Sequence, residues 1–120
     1  TRGTYMDENK AALENLLQEM KRGTLVLNVL LCTSEPVYGY SLVSRLQNAG
    51  VNIEQNTLYP LLRRLEKQNL LESSWIIADA RPRRYYQISN NGKLIRDKLL
   101  NEWKAMNSVI TSLESNKGAL

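Results

Sequence analysis

The sequence predicts a mainly α-helical fold: a winged helix-turn-helix with an N-terminal helix and a long C-terminal dimerisation helix. Two observations carry this prediction. Apolar residues recur at helical spacing in four successive stretches before residue 70, and again after residue 92. Between them, residues 71–89 alternate like two strands joined by a turn. Three helices followed by a two-stranded wing make the winged variant of the helix-turn-helix.

The first helix is expected to begin at Asp7 or Asn9, whose side chains can cap it. Gly23 weakens or bends this helix, and Thr24 begins a second, very apolar one. That second helix, Leu25 to Leu31, is long enough for about two turns. The first helix carries one apolar stripe with charged residues elsewhere. The stripe consists of Leu13, Leu16, Leu17 and Met20.

The third helix is expected after the break at Ser34-Glu35-Pro36. Ser41 can cap a helix that continues through Ala49, and Gly50 is a natural stop for it. Its inward residues are Leu42, Val43 and Leu46.

The fourth helix has two contrasting faces. It is expected to begin between Glu54 and Thr57 and to end at Asn69. If it begins near Glu54, Pro60 lies beyond the first turn and a kink is expected there. The buried face is made of Leu58, Leu61, Leu62 and Leu65. The opposite face, flanked by Tyr59 and Arg64, is made of Asn56, Pro60, Arg63 and Lys67.

A strand pair follows the fourth helix. Residues 71–77 form the first strand, and Trp75 shares its core side with Leu71, Ser73 and Ile77. Ala78 to Pro82 form the turn. Arg83 to Ser89 form the second strand, with Tyr86 and Ile88 on its buried face. The tip of this wing carries Arg81, Arg83 and Arg84.

The last helix follows Asn90-Asn91-Gly92. Its apolar residues are spaced by four, four, three, four and three, close to a heptad seam. Such a long helix projects beyond its own core, and an exposed seam would be a sticky apolar patch. We therefore expect a homodimer in which the seam meets the same helix or the N-terminal helix of a second copy. The alternative is that the seam folds back onto its own N-terminal helix. The seam consists of Ile95, Leu99, Trp103, Met106, Ile110 and Leu113.

Three segments with different roles follow from this order. Residues 1–22 form an N-terminal helix that supports the dimer, residues 23–89 form the winged helix-turn-helix, and residues 90–120 form the dimerisation helix. The predicted interface consists of Leu13, Leu16, Leu17, Met20, Leu99, Trp103, Met106, Ile110 and Leu113.

Charge in this chain is concentrated rather than large. The formal net charge is +4, but six of the sixteen cations lie between residues 63 and 84. A localised basic patch is the usual electrostatic footprint of nucleic-acid binding, and double-stranded DNA is the first candidate. The alternative is an ordinary solvated face.

Several function classes are excluded by composition. Histidine is absent, which removes Ser-His-Asp and Cys-His catalysis and argues against a zinc site. The six glycines form neither a P-loop nor a dinucleotide fingerprint. We therefore expect no enzyme, no cofactor and no metal. A single cysteine forms no internal disulfide, and there is no signal-peptide pattern or apolar run of membrane-spanning length. A cytoplasmic location without membrane contact is expected.

The chain contains the motifs Arg22-Gly23-Thr24-Leu25, Tyr38-Gly39-Tyr40, Thr57-Leu58-Tyr59-Pro60, Arg64-Leu65-Glu66 and Arg84-Tyr85-Tyr86-Gln87-Ile88 with Gly92. With these motifs in this order, it closely resembles the PadR family of bacterial transcriptional regulators. The resemblance covers about residues 20–113, and the chain is similar to the compact subgroup of the family, which has one helix after the wing. One departure is the wing tip, which is often glycine-rich in the family but reads Ala78-Asp79-Ala80-Arg81-Pro82 here.

The resemblance implies a homodimeric repressor, usually of detoxification or stress genes, that binds an inverted repeat. In multidrug-sensing members, a tryptophan at the place of Trp103 lines a pore at the dimer interface. A small aromatic effector stacked on Trp103 is therefore one hypothesis, and ordinary dimer packing is its alternative. A winged-helix protein–protein interaction module is the alternative function. A non-specific nucleoid-type binder would need more net charge than +4.

Individual DNA contacts can be assigned from side-chain chemistry. Base edges, or phosphates beside them, are assigned to Asn56, Thr57, Tyr59 and Arg63, since Arg suits guanine and Asn suits adenine. Phosphates are assigned to Tyr38, Tyr40, Lys67, Arg81, Arg83 and Arg84. Arg64 joins this DNA-binding set, with a surface ion pair to Glu66 or Glu72 as the alternative. For Tyr40 the alternative is a place in the core.

Overall fold

A computed structural model describes residues 2–116, with side chains described from residue 8 onward. Thr1 and residues 117–120, which belong to the predicted N-terminal and C-terminal segments, lie outside the described residues. The described residues form five helices and a three-stranded antiparallel sheet, which confirms the mainly helical winged-helix class. In chain order these are α1 (Arg2–Arg22), α2 (Leu25–Leu31), β1 (Val37–Tyr38), α3 (Gly39–Asn48), α4 (Gln55–Lys67), β2 (Leu71–Ala78), β3 (Arg81–Ile88) and α5 (Asn90–Ser115).

The first helix begins at Arg2, earlier than the predicted start at Asp7 or Asn9. That prediction was wrong because a residue that can cap a helix does not have to mark its first turn. Asp7 and Asn9 lie inside α1. The break before α2 is as predicted. Thr24 closes a turn by donating from both its backbone N–H and its hydroxyl to the carbonyl of Lys21.

The core lies between α2, α3, α4 and the base of the sheet. The predicted inward residues of α3 are buried, and the four leucines of α4 are between 0% and 8% exposed. α3 begins at Gly39 rather than after Ser41, because the extended residue Tyr38 leads directly into it. α4 ends where Asn69 adopts a left-handed backbone (φ 64°). Backbone bonds from Asn69 to Glu66 and from Leu70 to Leu65 close that end as a Schellman motif.

The sheet has the strand order β1–β3–β2. β1 was missed by sequence reasoning, because a two-residue strand is too short to show alternation. It pairs Val37 with Tyr86 and Tyr38 with Tyr85. The strands β2 and β3 pair along their whole length, from Leu71 opposite Ile88 to Ala78 opposite Arg81.

The wing turn is tighter than predicted. Asp79 and Ala80 make a two-residue turn with φ values of 54° and 63°, so β3 begins at Arg81 rather than Arg83. Positive φ at both central residues is what a type I′ hairpin turn requires, because it matches the twist of the strands. Pro82 therefore lies in the strand, opposite Ile77.

Trp75 was predicted to lie in the core, and this prediction was wrong: its side chain is 65% exposed. Alternation identifies the side of the strand on which Trp75 lies, but not how far the hairpin extends past the helices. Only the base of the wing is buried, where Leu71, Tyr86 and Ile88 are 1%, 6% and 3% exposed. The outer half of the wing is free of the core.

The start of α5 is fixed by contacts with the end of α4. The hydroxyl of Ser89 accepts from the Gly92 N–H at 2.9 Å and donates to the Asn69 carbonyl at 2.7 Å. From this anchor α5 continues outward, and every residue from 101 to 116 is exposed. Within residues 2–116, each helix is too short or too polar to cross a lipid bilayer.

Candidate nucleic-acid interface

The exposed face of α4 carries the side chains predicted to read DNA. Its leucines face the core, which turns the opposite side of the helix to solvent. Tyr59 is half-buried at the edge of this face. The exposed residues are Asn56, Thr57, Pro60, Arg63, Arg64 and Lys67. The structure thus brings one aromatic, two amide or hydroxyl groups and three cations to one side of a single helix.

A tyrosine cluster lies between β1, α3 and the wing. The ring of Tyr38 stacks against Tyr40 with centroids 6.1 Å apart and lies 5.9 Å from Tyr85. The guanidinium carbon of Arg83 lies 5.2 Å from the Tyr38 centroid, within cation–π range. Tyr40 is 57% exposed, so the alternative that it fills the core is wrong. The cluster presents hydroxyl groups beside α4.

Tyr59 connects this cluster to α4. A Cβ added at Gly39 would lie 3.3 Å from the Tyr86 ring and 3.6 Å from the Tyr59 ring, so the glycine leaves room for both rings at the start of α3. Burial raises the pKa of the Tyr59 hydroxyl, and the neighbouring hydroxyls of Tyr38, Tyr86 and Tyr40 act in the same direction. The Tyr59 hydroxyl is therefore protonated at neutral pH and able to donate a hydrogen bond.

The three wing arginines occupy different environments. Arg81 is exposed near the tip, opposite Ala78. The guanidinium of Arg83 lies 3.8 Å from the carboxylate of Asp79, a loose surface pair that contributes little. Arg84 instead pairs with Glu66 at 2.8 Å and is partly buried. Among the described residues it is Arg84, not Arg64, that pairs with Glu66.

The sequence analysis did not single out the polar face of α3 that lies beside the start of α4. Ser44 and Gln47 lie with Tyr40 and Gln55 around a small cleft of about 310 Å³ between α3 and the start of α4. The amide of Gln47 donates to the Ile53 carbonyl at 3.0 Å, which ties α3 to the connection before α4. The spacing of four between Tyr40 and Ser44 is a signal that could have found this face, because such residues are neighbours on a helix.

A second cleft lies on the other side of the α4 N-terminus. It has a volume of about 580 Å³ and is bounded by the end of α1, the start of α2 and the loop between α3 and α4. Lys21 and Arg22 line it from α1, Glu54 lines it from the residue before α4, and Thr57 lines it from the first turn of α4. Two further cations therefore lie near the first turn of α4, together with one carboxylate.

Both predicted dimer stripes are exposed within the described chain. On α1, Leu13, Leu16, Leu17 and Met20 are 39–72% exposed. On α5, the exposed fractions rise along the helix from 37% at Leu99 to 66% at Leu113, with Trp103 at 41%. The alternative that the seam folds back onto its own N-terminal helix is therefore wrong.

Comparison with known proteins agrees with this geometry. Residues 26–98 match the model of the transcriptional regulator PadR-like family. The Mycobacterium tuberculosis transcriptional regulator Rv3488 is 33% identical over 78 residues, which are 64% of this chain and 73% of that protein.

Solved structures with the same fold include two regulators of this kind. A PadR family transcriptional regulator from Eggerthella lenta is 39% identical, with a TM-score of 0.83 over 88% of this chain and 95% of that one. A PadR-like transcriptional regulator from Bacillus cereus is 28% identical, with a TM-score of 0.73 over 79% of this chain and 95% of that one.

Proposed function

The chain belongs to the PadR-like family of transcriptional regulators, and on that premise we propose that it represses transcription by binding an inverted-repeat operator as a homodimer. Proteins of this family are DNA-binding regulators and not enzymes. The observation that carries the proposal is the exposed basic face of α4, flanked by the tyrosine cluster and by Arg81 and Arg83 of the wing.

In the proposed complex, α4 is the recognition helix and lies in the major groove. Arg63 is suited to a bidentate contact with guanine and Asn56 to one with adenine. Thr57 and Tyr59 contact base edges or the phosphates beside them. Tyr38, Tyr40, Arg64, Lys67, Arg81 and Arg83 are assigned to phosphates, which fix the position of the helix without reading sequence.

The proposed dimer joins residues 90–120 of two copies, with support from residues 1–22, and leaves residues 23–89 to bind DNA. The α1 and α5 stripes are exposed in the single chain, and an apolar surface of this length favours burial in an interface. A two-fold dimer would also place two recognition helices in successive major grooves, roughly 34 Å apart.

Release from the operator by a small aromatic ligand is a finer part of the proposal. Trp103 lies on the α5 stripe and is 41% exposed, so a second copy packed on this stripe would bring apolar side chains beside the indole ring. Planar compounds can stack on an indole ring in such a site. Quenching of tryptophan emission by a planar dye, lost in Trp103→Ala, would support the ligand site. Quenching unchanged in that variant would reject it.

The proposal is tested by selecting bound duplexes from a random DNA library with the purified protein at near-physiological salt. Enrichment of an inverted repeat is the expected result, because each protomer reads one half-site. Recovery of DNA without a common motif would indicate charge-driven binding and contradict sequence-specific regulation. No recovery from protein freed of co-purified ligand would favour the protein-interaction module.

A further inference from the structure

Three side chains join the recognition helix to the wing at a place that the proposed DNA contacts do not use. Arg84 Nη2 donates to Glu66 Oε1 at 2.8 Å and to the Ser73 hydroxyl at 3.0 Å. The Ser73 hydroxyl donates in turn to Glu66 Oε2. Because Glu66 lies on α4, Ser73 on β2 and Arg84 on β3, this closed triangle connects three elements. We call it the helix–wing brace.

The brace holds the Arg84 side chain in one orientation. Its guanidinium carbon lies 5.7 Å from the centroid of the Trp75 ring and 5.5 Å from that of the Tyr86 ring, so cation–π contacts with two rings add to the hydrogen bonds that hold the planar guanidinium group. The Arg84 and Glu66 side chains are 37% and 30% exposed, and charge-assisted bonds are stronger when partly shielded from water. The Nε atom is buried and has no hydrogen-bond partner among the described residues. A side chain held in this way is poorly placed to reach a phosphate.

The brace is located where the wing leaves the core. Beyond Leu71 the β2 side chains are exposed or only partly buried, so the helical body gives the outer hairpin little support. Ser73 lies opposite Tyr86 at the edge of the buried base, and Arg84 lies two residues farther out on β3. Glu66 contacts both from the last turn of α4. Breaking the triangle would leave the wing held to α4 mainly by its base.

We propose that Glu66, Ser73 and Arg84 set the angle between the recognition helix and the wing. Glu66 and Arg84 are positioning residues for DNA binding and do not touch DNA. This inference rests on the proposed function, because it matters only if helix and wing grip one duplex together. A wing already held at the binding angle loses less conformational freedom on binding, which strengthens the complex.

The direction in which one substitution changes the affinity for DNA separates the brace from simple electrostatics. Glu66→Gln removes a negative charge beside the proposed DNA surface, so Coulomb's law alone predicts tighter binding. The brace predicts the opposite, a loss of about tenfold in affinity for the selected operator, within the range of coupling between contacting residues. Glu72→Gln is the matched control, because Glu72 is an exposed carboxylate on β2 next to Ser73 but outside the triangle. Its affinity is expected to equal that of the wild type or to exceed it.

Arg84 supplies the second readout. Arg84→Gln is expected to weaken binding without changing the slope of log affinity against log salt concentration. The double variant Glu66→Gln/Arg84→Gln is expected to bind about as weakly as either single variant, because both substitutions break the same triangle. Arg81→Gln, which removes a proposed phosphate contact, is expected to lower that slope by about one unit. Arg84→Lys keeps the positive charge but not the planar guanidinium group, and it is expected to behave as Arg84→Gln does. Far-UV circular dichroism checks that each variant is folded.

Two results would overturn the brace: Glu66→Gln binding as tightly as the wild type or more tightly, or a slope lowered by about one unit in Arg84→Gln. Failure of the proposed function is distinguishable from both. It would appear as absent or motif-free binding by the wild-type protein before any substitution is made.

Discussion

Gly92 lies so close to Leu70 that a Cβ added to the glycine would be 2.1 Å from the Leu70 carbonyl oxygen. The same Cβ would lie 2.7 Å from Cγ1 of Ile88. This contact sets the direction in which α5 leaves the winged domain, because the first turn of α5 packs directly against the turn between α4 and β2. The position of the proposed dimer helix relative to the recognition helix thus depends on the absence of one methyl group.

Gly92→Ala is expected to destabilise the protein by roughly 2 kcal/mol or more, since a rigid backbone carbonyl has to move and overpacking outweighs the better helix propensity of alanine. The free energy of unfolding is measured by urea titration at fixed protein concentration. Gly23→Ala is the control, because its added Cβ meets Met20 O at an ordinary 3.6 Å. Equal stability of the two variants would show that the Gly92 contact is not tight in solution.

Ala80→Gly at the wing tip is expected to stabilise the protein by about 0.5 kcal/mol. Ala80 has a φ of 63°, a backbone conformation in which a Cβ is sterically unfavourable and glycine has no such cost. The greater conformational entropy of glycine in the unfolded chain offsets part of this gain in stability. The change in the urea midpoint measures the effect. Ala78→Gly, in the paired part of β2, is expected to be neutral or destabilising. A less stable Ala80→Gly variant would contradict the positive φ.

Arg83→Ala and Arg63→Ala are expected to weaken DNA binding in different ways. Arg83→Ala should lower affinity similarly for all sequences and flatten the salt slope by about one unit, as loss of a phosphate contact does. Arg63→Ala should cost about 1–3 kcal/mol on the preferred sequence and relax preference at one base position. Both are measured by titrating the selected operator and its single-base variants at several salt concentrations.

Lys98→Ala controls for loss of a cation away from the proposed DNA surface, since Lys98 is exposed on α5. It is expected to change neither slope nor preference appreciably. If Arg83→Ala and Arg63→Ala scale all sequences equally, the division between gripping and reading residues is wrong.

Ile110→Glu is expected to convert the proposed dimer to a folded monomer. Ile110 is 63% exposed in the single chain, so a charge there costs the protomer little but would be buried without a partner in the interface. Size-exclusion chromatography with light scattering measures the mass. Ser108→Glu, on the opposite side of the same exposed turns of α5, should leave the mass unchanged. A dimeric Ile110→Glu variant would place the interface elsewhere.

Much of the fold could be predicted because its signals are local. The four leucines of α4 lie at helical spacing, and all four are buried. Tyr86 and Ile88 alternate with polar residues, and both are buried. In each case the periodicity of the element itself decides which side faces the core.

The features that could not be predicted depend on distances between elements, which a local sequence pattern does not contain. Trp75 has the correct alternation but lies beyond the edge of the core, and β1 is too short to show a period. The pairing of Arg84 with Glu66 joins residues 18 positions apart on different elements. From the sequence, Glu66 was therefore assigned to Arg64 as an alternative, and Arg84 was assigned to a phosphate.

The central claim is that one dimer reads one inverted repeat through two α4 helices. Hydroxyl-radical footprinting of the selected duplex, combined with titration of its binding stoichiometry, tests this most directly. The predicted result is two chains per duplex and two protected stretches on one face of the DNA, with centres roughly 10 base pairs apart. A single protected stretch bound by one chain would contradict it.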